Sequence, residues 1–341
     1  MQGETFRLVR LRLRLSQGEL KDTLNSTLGR SYDKPRISRW ENGREAIPGE
    51  VAATLEALSS KTSRHARILA VANQKGGVGK TTTALNLAYA LSRDGRRVLL
   101  IDLDPQATAS VALLAAGSVE KYREGRTMAH VILRDRPLAE AIIRTGEGAG
   151  SRPVPFDLVA SHIDLAESDG RREPGFEVAL RESLDSVRSH YDHIVLDAPP
   201  NLGTLTVMAL AAADEVLIPV RTEPYDTMGV GLILNTITKV QRRLNPGLRL
   251  VGVLPTQFGP RRAVDREVLE QLAIAMSGRA PILEPVPASA AFGHAARNGR
   301  IALEASPTAV APAVYGRLAA ALVSGQSLPL AVVNTSALQE I

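Results

Sequence analysis

Short apolar runs bounded by polar turns alternate with stretches of alanine and leucine at helical spacing along most of the chain. Arg67-Ile68-Leu69-Ala70-Val71-Ala72 suits a buried strand, and Thr82 to Leu91 carries its apolar residues at helical spacing. Val98-Leu99-Leu100-Ile101 and Tyr191-Asp192-His193-Ile194-Val195-Leu196 are two more runs of buried-strand type. Strands alternating with helices predict an α/β domain, a doubly wound and mainly parallel sheet.

The front of the chain has a different pattern. Arg10-Leu11-Arg12-Leu13-Arg14-Leu15 alternates with a period of two and, taken alone, suggests a strand. Ser16-Gln17-Gly18-Glu19-Leu20 then opens like a capped helix, with Ser16 at the cap and Glu19 three residues on. Ile37 to Gly43 reads as a helix stopped by glycine, and Pro48 to Leu58 as another. Residues 1–62 therefore read as a small all-α domain, 63–67 as a linker that continues the polar stretch Ser59 to Arg64, 68–325 as the α/β domain, and 326–341 as a tail. Gly146 to Pro155 and Asp169 to Gly175 read as exposed loops without a catalytic role.

Between the first strand and its helix stands Lys75-Gly76-Gly77-Val78-Gly79-Lys80-Thr81-Thr82. Glycines let a backbone approach phosphate oxygens, successive amides and a helix N-terminus attract the anion, Lys80 meets the terminal phosphates, and Thr81 is placed to ligate magnesium. Two strands end in carboxylates: Asp102 and Asp104, two apart and so on one face, and Asp197 in Leu196-Asp197-Ala198-Pro199-Pro200. Open parallel sheets bind ligands at that end.

With these motifs in hand, the chain resembles the ParA/MinD group of deviant Walker ATPases, and within it the ParA branch that segregates plasmids and chromosomes. The resemblance runs from about Arg67 to Val323 and rests on KGGVGKTT, Ile101 to Gln106, Leu196 to Gly203 and Ala213 to Tyr225. It implies ATP and Mg2+ as cofactors, Lys75 reaching the partner's phosphates across an ATP-dependent homodimer, Asp104 activating the attacking water, and Asp197 organising magnesium through water. It further implies an adenine site near Pro287, nucleoid DNA held by C-terminal basic residues such as Arg261 and Arg262, and a ParB-like centromere-binding protein that stimulates hydrolysis. The chain departs from the pattern at Thr256 to Arg262 and at Ala288, where an arginine is expected.

The N-terminal segment resembles a repressor-type helix-turn-helix of the Xre class through SQGEL, ISRWENG and the later helix. That resemblance places Gln17 at a phosphate-contacting helix start and Lys34, Arg36 and Arg39 on the groove-reading helix, with Trp40 packed inward. The segment from Lys21 to Pro35 is longer than usual, and Pro35 stands where recognition should begin. A bundle that only dimerises is the other reading of the same leucines.

Composition narrows the classes. With no cysteine in 341 residues, disulfides, thiolate metal sites and cysteine nucleophiles are excluded, and the six histidines show no metal spacing. Net charge is +5 at pH 7, with basic residues crowded at the front of the chain. Apolar runs too short to span a bilayer, and a C-terminal stretch from Ser327 without Lys or Arg, argue against a membrane anchor and for a cytoplasmic protein, and the resemblance implies that it associates with the nucleoid. The expectation is a partition ATPase that also represses its operon. The alternatives are an ATP-switched transcription regulator that moves no cargo and a positioning ATPase for a protein cargo.

Overall fold

The structure is a computed structural model that describes residues 2–13, 15–62, 66–144, 147, 153–224 and 226–332. The linker residues 63–65, most of the 146–155 loop and the tail beyond 332 lie outside the described residues. The chain divides into two compact units, Met1–Ala66 and Arg67–Ile341.

Among the described residues the first unit holds four helices: α1 (Gly3–Arg12), α2 (Gln17–Leu28), α3 (Lys34–Glu41) and α4 (Gly49–Thr62). The period-two alternation of Arg and Leu does not make a strand. Phe6, Val9 and Leu13 recur at helical spacing and all face the core, so that stripe decides the element. α2 begins with a complete capping box between Ser16 and Glu19 and ends at Gly29, whose φ of 62° is left-handed. The long Lys21 to Pro35 segment is taken up by α2 itself, which runs to Leu28, and by a turn over 29–33. Pro35 falls in the first turn of α3, where its missing N–H removes no helix bond, and Asp33 caps that helix by accepting from the Arg36 amide at 2.8 Å.

These helices bury Phe6, Leu20, Leu24, Ile37, Trp40, Val51 and Leu55 in one cluster. Trp40 does pack inward, edge-on to Phe6 and Tyr32. Beside it Arg10 Nε donates to Glu41 at 2.5 Å, and Gln17 donates to the second Glu41 oxygen at 2.7 Å.

The second unit is built on six parallel strands: β1 (Arg67–Val71), β2 (Val98–Asp102), β3 (Asp157–Val159), β4 (His193–Asp197), β5 (Glu215–Arg221) and β6 (Arg249–Thr256). Their order is β3-β2-β4-β1-β5-β6, flanked by helices. β1, β2 and β4 are almost wholly buried, which is why they read as continuous apolar runs. Helix α5 (Lys80–Leu91) comes after β1, starting two residues before its apolar spacing suggested. Leu87 and Leu91 of α5 share one core with Tyr315, Leu318 and Leu322 of the helix Val310–Ser324. The Thr83 and Tyr315 hydroxyls meet at 3.2 Å between them. Beyond that helix, Leu330 pairs with Leu283 and the Ala331 amide donates to Ile282, so the first part of the tail lies along the 282–284 segment.

Strand register sets the position of the carboxylates. Asp197 on β4 stands beside Val71 on one side and Asp102 on the other. The end of β1 and both carboxylate-bearing strand ends therefore open onto one edge of the sheet.

Candidate nucleotide site

The loop from Asn73 to Gly79 leaves β1 and enters α5 at that edge. Gly77 (φ 72°) and Gly79 (φ 86°) have left-handed backbones that other residues adopt only with strain. Gly79 is the N-cap of α5 and offers no side-chain bond to the first helical amides, which leaves that helix end suited to an anion. Lys80, buried to 6% exposure, donates from Nζ to the Lys75 carbonyl at 2.8 Å and so lies back across the loop. Burial pulls its pKa below the usual lysine range, while the charges of Asp197 and Asp104 act to hold it up. The Lys75 amide donates to Asn73 Oδ1 at 3.2 Å, and Asn73 donates to the Pro219 carbonyl at 2.7 Å, tying the loop's front to β5.

The three aspartates differ in environment. β2 ends at Asp102, so the alternation that put Asp102 and Asp104 on one strand face stops short of Asp104. Asp102 is fully buried and accepts from the Asp104 amide (3.1 Å), the Ser110 amide (2.9 Å) and the Ser110 hydroxyl (2.7 Å). Burial pushes its pKa up to about 6 against those bonds. Its work is to hold the turn that presents Asp104. Asp104 in turn accepts from the Gln106 amide at 3.0 Å.

Asp197 is also fully buried, but neither of its carboxylate oxygens completes a hydrogen bond. Burial first, and then the neighbouring Asp102 charge, drive its pKa well up, with the Thr81 hydroxyl and the Lys80 ammonium opposing. A buried carboxylate with two unused acceptors, near a threonine hydroxyl and a lysine, fits a hard divalent cation.

Known proteins share this arrangement of sheet and loop. A family model described as an AAA domain matches residues 66–250. The chromosome-partitioning ATPase Soj of Thermus thermophilus is 40% identical over 253 residues, which span 74% of this chain and 94% of that protein. The chain belongs to the ParA/Soj family of partitioning ATPases. Another similar relative is the chromosome partitioning protein ParA of Myxococcus xanthus, 40% identical over 208 residues, covering 60% of this chain and 70% of that one. Among solved structures, cobyrinic acid a,c-diamide synthase from Mycobacterium smegmatis with bound ADP and magnesium shares 34% identity, with a TM-score of 0.64 over 78% of this chain and 99% of that one. A putative plasmid partition protein from Borrelia burgdorferi bound to AMPPNP matches in fold, with 22% identity and a TM-score of 0.62 over 76% and 99% of the two chains.

Within this ParA/Soj ATPase the structure gathers Lys75, Gly76, Gly77, Val78, Gly79, Lys80, Thr81, Thr82, Asp104 and Asp197 at one sheet edge. Pro287 is half-buried and pairs with Phe258 just past the end of β6. Arg261 and Arg262 are exposed at the start of the helix Ala263–Met276. In the N-terminal unit Lys34 and Arg39 lie on α3, with Lys34 exposed. Arg36 and Arg39 both donate to Glu45, at 2.7 and 3.0 Å. Gln17 is the first residue of α2, half-buried, and its amide donates to Glu41 at 2.7 Å.

Sequence reading missed several contributors. Thr256 donates to the Val78 carbonyl at 2.9 Å and Gln257 to the Gly77 carbonyl at 3.1 Å, so the end of β6 braces the phosphate loop. Asp169 accepts from the Thr204 amide at 3.0 Å and caps the helix Thr204–Ala212 that lies beyond the Asp197 loop, although its segment reads as a plain exposed loop. Only the long-range fold brings Thr256 and Gln257 to the phosphate loop, and no local spacing marks them.

Proposed function

We propose that this ATPase partitions DNA, with an ATP-dependent homodimer as its DNA-bound state and hydrolysis as the release step. ATP and magnesium are its cofactors. One observation carries the reading: a two-lysine glycine loop, an oriented Asp104 and an unsatisfied buried Asp197 meet at one sheet edge. Phosphoryl transfer demands positioning and charge neutralisation more than covalent chemistry, and these groups supply both.

Lys80 and the α5 amides bind the phosphates. Thr81 and, through water, Asp197 hold magnesium, which neutralises phosphate charge when bound. Asp104, fixed by Gln106 and by the Asp102 turn, orients the attacking water. Lys75 extends from the loop's front toward a partner subunit, so full neutralisation waits on dimerisation. Doubling of the Arg261 and Arg262 surfaces then favours nonspecific phosphate contacts on nucleoid DNA. A ParB-like protein bound at a centromere site stimulates hydrolysis and releases the dimer. The protein is cytoplasmic and nucleoid-associated, and among the described residues no helix is long and apolar enough to cross a membrane.

The N-terminal unit adds a helix-turn-helix of α2 and α3, with Lys34, Arg36 and Arg39 toward the groove, by which the protein represses its own operon. Basic residues on a short capped helix also favour a second reading, an ATP-switched transcription regulator that moves no cargo. Two full-length double variants separate the DNA surfaces in anisotropy titrations with ATP and with ADP. Arg261→Ala with Arg262→Ala weakens random-duplex binding and its salt dependence, and Arg36→Ala with Arg39→Ala removes preference for the promoter. Imaging a labelled replicon after deletion, with its loss rate, decides between the two readings. Unchanged inheritance contradicts partition.

A further inference from the structure

Arg221, the last residue of β5, carries a guanidinium that lies over the phosphate loop. A Cβ built on Gly77 would stand 3.9 Å from Arg221 Nη1. The other terminal nitrogen is paired with Glu223, and Nε is buried without a hydrogen-bond partner. Strand register accounts for the reach. Arg221 stands opposite Thr256 in the β5–β6 ladder, and Thr256 and Gln257 grip the carbonyls of Val78 and Gly77. The two strand ends thus wall in one side of the loop's front.

Gly77 precedes the start of α5, and on the phosphate-loop reading the amides of that helix hold the inner phosphates. A cation above Gly77 lies toward the distal end of the phosphate chain. Glu223 stands two residues beyond Arg221, and its side chain is 47% exposed, so this acid can give up its partner at small cost.

We propose that Arg221 is a nucleotide-binding residue that contacts the terminal phosphate of ATP, and that Glu223 is the acid holding it until that phosphate arrives. The proposal rests on the phosphate-loop reading and adds a third cation to Lys75 and Lys80, supplied from β5. A planar guanidinium with an unused donor suits a phosphate that already has lysine contacts.

Fluorescent-nucleotide titrations of the full chain, with magnesium, test it. Arg221→Ala weakens binding of a nonhydrolysable ATP analogue by about tenfold, the size expected of one charge-assisted contact, and changes ADP affinity less than about twofold. Arg221→Gln does the same while keeping the side chain's bulk. Glu223→Gln acts in the opposite direction and tightens the ATP analogue. Equal losses for ATP and ADP, or unchanged affinities in both Arg221 variants, overturn the assignment. Lys80→Ala is the control, since it weakens both nucleotides. If it weakens neither, the phosphate-loop reading fails, whatever Arg221 does.

Discussion

Asp102 and Asp197 stand directly opposite each other at the ends of two adjacent parallel strands, both fully buried, with only Asp102 hydrogen-bonded. Two carboxylates so placed repel, and without hydrogen bonds Asp197 bears most of the desolvation cost. Asp197→Asn removes that charge at nearly constant volume. The variant without nucleotide is expected to melt about 2–4 °C higher than the parent, the shift that ~1 kcal/mol gives in a domain of this size. It is also expected to lose the extra stabilisation that magnesium adds with an ATP analogue. Scanning fluorimetry with and without magnesium checks both. A lower melting point together with intact magnesium dependence would remove Asp197 from the metal site.

His193 on β4 has its pKa lowered from 6.5 to about 4, first by burial and then by the Arg67 charge, against an opposing Asp192. Between those values the unfolded chain takes up a proton that the folded chain refuses. Stability therefore falls as pH drops from 6.5 toward 4, by up to about 3 kcal/mol from this group. His193→Gln should flatten that part of the curve in urea titrations across the window, with little change at pH ~8, well above both values. An unaltered slope would show that another group carries the dependence.

Glu41 is buried against Arg10 and Gln17, so its removal strands a buried guanidinium. Glu41→Ala should cost about 3–5 kcal/mol, a large share of what a unit this small can hold. The chain's one tryptophan, Trp40, lies in that unit, and its fluorescence reports on it alone. The midpoint of the fluorescence transition should drop sharply while ATP turnover persists. An unmoved midpoint would mean that the pair adds nothing to the N-terminal fold.

The phosphate loop and the strand-ending aspartates were legible because their geometry is local: a strand, a turn that needs glycine, and a helix start lie within a few consecutive residues. The same holds for the α2 capping box and the inward Trp40. What was not legible depends on register. Asp102 and Asp104 look equivalent in sequence, and only the end of β2 and the distant Ser110 divide their roles. Gln257 and Arg221 reach the loop across the sheet, from segments that are remote in the chain. At α1 the two-residue alternation taken alone suggests a strand, whereas Phe6, Val9 and Leu13 lie at helical spacing against the core. The bond from Gln17 to Glu41 joins residues 24 apart, so no local spacing marks it.

Lys75 separates partner-directed charge from ordinary loop charge. Lys75→Ala should bind ATP analogue within about threefold of the parent but fail to dimerise with it, because in the proposed dimer the cation lost serves the other subunit's phosphates. Sedimentation velocity with analogue and magnesium checks this. A normal dimer with normal turnover would reject the cross-subunit role.

The central proposal is that Asp104 orients the attacking water at this sheet edge, and Asp104→Ala tests it most directly. Single-turnover hydrolysis, measured beside nucleotide affinity on the same samples, separates chemistry from binding. The expected result is an affinity within about twofold of the parent and a rate lower by about 10²-fold or more, the usual scale for a lost proton-handling group. A rate equal to the parent's, with full binding, would contradict it.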